Sequence, residues 1–147
     1  MKERVTNHCE VERVPSPPGE NILLVDEDIS DLEYDFKLLG EQGHKVVSCP
    51  SYALGARLLE CGDFDLVVVS QGGLAFEGRP VLERAMQVTP HTPVLVLANC
   101  VDMGAYLEAM QLGAVDYLQK PVNPLEMARA IRTYLLPARG RVPGDED

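Results

Sequence analysis

Positive charge is scarce in this chain. Its 147 residues hold 13 Lys and Arg against 23 Asp and Glu, a formal net charge of -10. With a pI near 4.7, the surface repels phosphates, which excludes a general grip on nucleic acid. Long apolar runs are missing as well. Runs such as Val67-Val68-Val69 are strand-sized, far below the roughly 18 residues of a membrane span. Met1–Glu20 carries Lys2, Glu3, Arg4, Glu10, Glu12 and Arg13 and lacks the apolar stretch of a signal peptide. None of the four cysteines (Cys9, Cys49, Cys61, Cys100) forms a C-x-x-C pair. This predicts free thiols in a reducing, cytoplasmic setting, not a metal site or disulfide framework. His8, His44 and His91 are scattered and lack ligand spacing.

What the chain does have is an ordinary apolar share, 46%, enough for one compact domain. Residues 1–20 read as a flexible tail, because Pro15-Ser16-Pro17-Pro18-Gly19 resists helix and strand alike. Residues 137–147, rich in Pro and Gly and ending Asp-Glu-Asp, read as an acidic C-terminal tail. The foldable unit is residues 21–136. Within it, strand-sized runs at Ile22–Val25, Lys45–Ser48, Asp65–Val69, Pro93–Leu97 and Val115–Leu118 alternate with helical patterns. Ile29, Leu32, Phe36 and Leu39 form one predicted inward face, and Leu54, Leu58 and Leu59 another. Asp28, Ser51, Asp102 and Asn123 are predicted N-caps, and Gly43, Gly62 and Gly113 are predicted stops.

Five βα units with continuous apolar strands imply a parallel sheet covered on both faces. The expected fold is therefore α/β, a flavodoxin-like (βα)5 doubly wound sandwich with strand order 2-1-3-4-5. Sites in such folds lie beyond the carboxyl ends of the strands. Asp26 and Glu27 follow the first strand, and two adjacent acids there suit a hard cation such as Mg²⁺. Lys120 follows the fifth strand, where its ammonium can reach Asp26 or Glu27.

Four stretches, Asn21–Asp28, Asp65–Ser70, Thr92–Ala98 and Leu112–Pro121, together resemble the receiver domain of two-component response regulators. The likeness spans nearly all of residues 21–136. Its most specific part is Leu-Gly-Ala-x-Asp-Tyr-Leu-x-Lys-Pro. The resemblance implies that Asp26 and Glu27 are the Mg²⁺-binding acids, that Lys120 contacts a phosphoryl group, and that the Lys120-Pro121 bond is cis. Two positions depart from the family pattern. Ser70 stands where the family has its phosphoacceptor aspartate, and Ala98 where it has a switch Thr or Ser. Tyr117, the aromatic partner of that switch, is retained, and Leu74 replaces the usual loop proline.

A serine hydroxyl is neutral, a poor nucleophile without a base, and a weak metal ligand. Mg²⁺ is then weakly held or absent and no cofactor is required. The expectation is a degenerate receiver that is not an enzyme and acts in signal transduction by protein–protein contact, without aspartyl phosphorylation. A protein partner or second copy would dock on the face of the fourth helix, fifth strand and fifth helix, presenting Tyr106, Asp116, Arg129 and Arg132. No nucleic acid or membrane contact is expected of this chain. The alternative is regulation through phosphorylation of Ser70 or a small ligand in the acidic pocket, with Gly72-Gly73 offering amides to an anion. A third reading makes the chain a fragment of a larger regulator.

Overall fold

The computed structural model describes residues 20–140, with side chains through residue 135. Ten elements alternate along the chain: β1 (Asn21–Val25), α1 (Ile29–Glu41), β2 (Lys45–Cys49), α2 (Tyr52–Cys61), β3 (Leu66–Ser70), α3 (Arg79–Val88), β4 (Val94–Ala98), α4 (Met103–Leu112), β5 (Asp116–Gln119) and α5 (Pro124–Gly140). The strands form one sheet in the order β2-β1-β3-β4-β5, and every pairing is parallel. This is the flavodoxin-like topology expected from the sequence. Residues 1–19 and 141–147 lie outside the described region, and with them nearly all of the expected N-terminal tail and residues 141–147 of the expected C-terminal one. Pro137–Gly140 continue α5, so the domain's last helix runs past residue 136.

The period of two along each strand divides the core into two layers. Leu23, Val25, Val67, Val69, Val94 and Val96 face one side, packed with Leu59, Val81, Leu82 and Ala109. Ile22, Leu24, Leu66, Val68, Leu95 and Leu97 face the other, packed with Leu32, Leu39, Met127 and Ile131. β3 and β4 are buried at every position, as central strands covered on both faces must be.

The predicted caps hold. The side chains of Asp28, Ser51 and Asp102 accept bonds from the amides of Asp31, Leu54 and Ala105, and Asn123 Oδ1 accepts from Glu126 at 2.8 Å. Gly113 ends α4 in the left-handed region at φ 116°, where only glycine is free of a Cβ penalty.

Two inward faces were misjudged from the sequence. On α1, Leu32 and Leu39 are buried, but Ile29 is 53% and Phe36 45% exposed. The inward positions belong to Asp35 and Leu38 instead, because a polar residue sits in the buried stripe and hides it from an apolar count. On α2, Leu59 is buried and Leu54 exposed, and Tyr52 and Gly55 face inward. A Cβ on Gly55 would come within 2.8 Å of Val25 Cγ2, so α2 lies close against β1. Cys61 is disulfide-bonded, against the expectation of four free thiols, while Cys49 and Cys100 are free. No helix among the described residues is long and apolar enough to cross a membrane.

Gly78, at the start of α3, packs directly under the end of β3. A Cβ there would lie 2.2 Å from the Ser70 carbonyl oxygen, and rigid backbone cannot yield cheaply. Gly78→Ala should therefore cost at least about 2 kcal/mol, read as a lower urea midpoint. An unchanged midpoint would mean that the β3–α3 turn is loose.

Candidate functional site

The parallel registers bring the strand ends together. Val25 pairs with Val69, and Ser70 with Leu97. The ladder then runs on into the loops: Asp26 N donates to Cys49 O at 3.1 Å, Gln71 N to Leu97 O at 2.7 Å, and Lys120 N to Ala98 O at 2.8 Å. Residues far apart in sequence thus converge at one sheet edge, in a cavity of about 280 Å³. Asp26, Glu27, Asp28, Tyr52, Ser70, Gly72, Glu77, Asn99 and Lys120 line it.

Lys120 is the centre of this cluster. Its Nζ donates to Asp26 Oδ2 at 2.7 Å and to Asp31 Oδ2 at 2.9 Å. The side chains of Lys120 and Asp26 are only 6% and 4% exposed. Burial pulls the Lys120 pKa down, but the bonds and charges of Asp26 and Asp31 outweigh it and leave the ammonium more firmly protonated than usual. Burial likewise pushes Asp31 up, and the bonds from Lys120 and Asn99 more than reverse that. The expected lysine–acid pair is therefore present with Asp26. Glu27 does not join it: its Oε2 accepts from the Tyr52 amide at 3.2 Å, because the chain turns into solvent there and Glu27 is exposed.

Ser70 ends β3 and is 3% exposed. Its hydroxyl shares a 2.5 Å hydrogen bond with Tyr52 Oη. Burial raises the pKa of that phenol; the bond with Ser70 lowers it, and the charges of Asp26 and Glu27 raise it. Neither carboxylate is shown bonded to the serine as a base. Asp26 Oδ1 accepts from the Asp28 amide at 2.9 Å, so both Asp26 oxygens are engaged.

This donor set does not fit Mg²⁺, which demands near-octahedral oxygens. One acid is tied to an ammonium, the second faces an amide, and the third donor is a hydroxyl held by a phenol. Among the described residues no group of three or more His, Cys, Asp or Glu could hold a metal ion. Nor do Gly72 and Gly73 form an anion cradle. A Cβ on Gly72 would lie 2.7 Å from Glu77 Oε1, so a carboxylate already covers that turn.

The sequence reading missed Asp31, Asp35, Tyr52, Glu77 and Asn99. Asp31 and Asp35 stand four apart on α1, and that spacing is a signal: both fall on the turn facing Lys120. Asp35 is 3% exposed. Its pKa rises to about 7, chiefly through desolvation; Lys120 lowers it, and the charges of Asp26 and Asp31 raise it.

Ala98 is fully buried at the end of β4, and the Lys120-Pro121 bond is cis. Tyr117 packs edge-on against Tyr106 with ring centroids 5.3 Å apart. On the expected interaction face, Tyr106, Arg129 and Arg132 are exposed. Asp116 accepts a 2.9 Å bond from Tyr134 Oη of its own chain.

Residues 22–132 match the family described as "Response regulator receiver domain". The chain belongs to that family. The receiver domain is 30% identical over 128 residues to the response regulator protein FleR of Pseudomonas aeruginosa, covering 86% of this chain but 26% of FleR. Against the probable transcriptional regulatory protein SilR of Salmonella typhimurium it is 30% identical, covering 78% of this chain and 50% of SilR. The chain thus spans about a quarter to half of these curated relatives. Among solved structures, a receiver domain from Clostridium thermocellum superposes with a TM-score of 0.72 at 25% identity, covering 84% of this chain and 99% of that one.

The receiver's charge cluster makes two predictions. Lys120→Met should destabilise the fold by about 3–5 kcal/mol, since it leaves the Asp26 carboxylate buried without a counter-ion; an unchanged melting temperature would place the ammonium in solvent. For Asp35, the carboxyl is neutral in both folded and unfolded states below its ordinary value of 3.8, and the folded state keeps its proton up to about pH 7. Its stabilising contribution is complete at low pH and is lost across that window. The stability of Asp35→Asn relative to the parent should therefore rise by up to about 4 kcal/mol between pH 4 and pH 8, read by denaturant titration. A difference independent of pH would show that Asp35 titrates normally.

Proposed function

We propose that this chain is a pseudo-receiver: a non-catalytic signalling domain that acts by protein contact and uses neither aspartyl phosphorylation nor Mg²⁺. The observation that carries this reading is the Lys120–Asp26 ion pair beside a Ser70 hydroxyl closed off by Tyr52. A carboxylate at the end of β3 would be the nucleophile and a third metal ligand; a neutral hydroxyl is a poor nucleophile without a base and a weak metal ligand. The acids lining the cavity also repel an incoming phosphoryl donor, because Asp26, Glu27, Asp28 and Glu77 face a single lysine there.

The same geometry argues against the alternative, modification of Ser70. The side chain is buried and already bonded, so a modifying enzyme would first have to displace Tyr52. Partner binding is assigned to the surface of α4, β5 and α5, where Tyr106, Arg129 and Arg132 are exposed and Asp116 adds acidic charge. The partner is a protein or a second copy of the chain, and the net charge of -10 speaks against nucleic acid as a direct ligand.

Incubation of the full chain with Mg²⁺ and acetyl phosphate should leave its intact mass unchanged. A stable gain of roughly 80 Da overturns the proposal: on an aspartate it restores a conventional receiver, and on Ser70 it establishes the alternative.

A further inference from the structure

Gln71 is a polar side chain with no contact to solvent: it is 0% exposed. Burying an amide costs free energy unless each of its groups finds a partner. Here they do, and the partners come from different segments. Nε2 donates to Gly73 O at 2.7 Å, in the β3–α3 loop, and to Cys100 O at 3.1 Å, in the β4–α4 loop. Oε1 accepts from the Tyr117 hydroxyl in β5. That hydroxyl in turn accepts from the Asp102 amide at 3.2 Å, and Asp102 is the N-cap of α4. Tyr117 also packs against Tyr106 of α4. Ala98, the neighbouring strand end, has no side-chain polar group to compete for the tyrosine hydroxyl.

We propose that Gln71 is a positioning residue, a built-in latch that holds Tyr117 inward and fixes the start of α4, so that the Tyr106 surface is kept in one arrangement without any ligand in the acidic cavity. The chain of contacts runs from the residue after Ser70 to the exposed face of α4. Each link is a hydrogen bond or ring contact within the domain, and the latch stands whether or not Ser70 is ever modified.

Amide exchange followed by NMR on the full chain tests it with two crossed readouts. Gln71→Leu leaves the Asp102–Tyr117 bond chemically intact, yet the Asp102 amide should exchange roughly fivefold to tenfold faster, about the cost of one hydrogen bond. Tyr117→Phe leaves both acceptors of Gln71 Nε2 in place, yet the Gln71 side-chain protons should exchange faster by a similar factor. The Leu23 amide in β1 should keep its parental rate in both variants. A parental rate at either crossed readout overturns the latch. So does equal acceleration at Leu23, which would mark a general loosening of the fold. Should Gln71→Leu fail to fold, Tyr117→Phe removes a single oxygen and carries the test alone.

Discussion

The arrangement of the site depends on one buried ammonium. Lys120 lies at the end of β5, where the lateral packing of five strands brings it over the end of β1. Asp26 at that edge is buried, and buried polar oxygens need partners. The 2.7 Å contact with Lys120 is what lets the strand end in an acid at all. Asp31 gives the ammonium a second acceptor from α1. Asp35, just behind, is a third acid near this cation; desolvation, helped by the charges of Asp26 and Asp31 and opposed by Lys120, keeps its proton to about pH 7. One cation thus faces three carboxyl groups, so acids outnumber the positive charge that holds them.

On the opposite side of the cavity neutral groups pair with one another. Tyr52 and Ser70 satisfy each other, and Gln71 ties the two loops to Tyr117. Both networks occupy positions where a receiver could have placed mobile, ligand-responsive groups. Hydrogen-bonded and buried, they fix their segments instead, because every bond opened would expose an unsatisfied group to an apolar surrounding.

The order of the elements, their caps and their sheet topology were readable because they depend on local chemistry. Asp28, Ser51 and Asp102 cap their helices through side-chain oxygens reaching amides three residues ahead, and the fully apolar β3 and β4 can only be central. The misjudged stripe of α1 shows where such reading stops. Asp35 is polar, so a hydrophobic pattern assigns it to solvent, yet its place on the helix turns it toward Lys120. Glu27 shows the reverse error: adjacent to Asp26, it appears equivalent to it, but consecutive residues past a strand end point in different directions.

From the sequence alone came the domain's class, its strand order, the pairing of Lys120 with an acid after β1, and the hydroxyl at the end of β3. Each of these follows from periodicity, short-range capping or position at a strand end. Which acid Lys120 takes, and that Tyr52 closes over Ser70 while Gln71 grips Tyr117, was decided only by the folded chain. These contacts join residues 18 to 94 positions apart, and no local pattern encodes the side-chain directions that bring them within hydrogen-bonding distance.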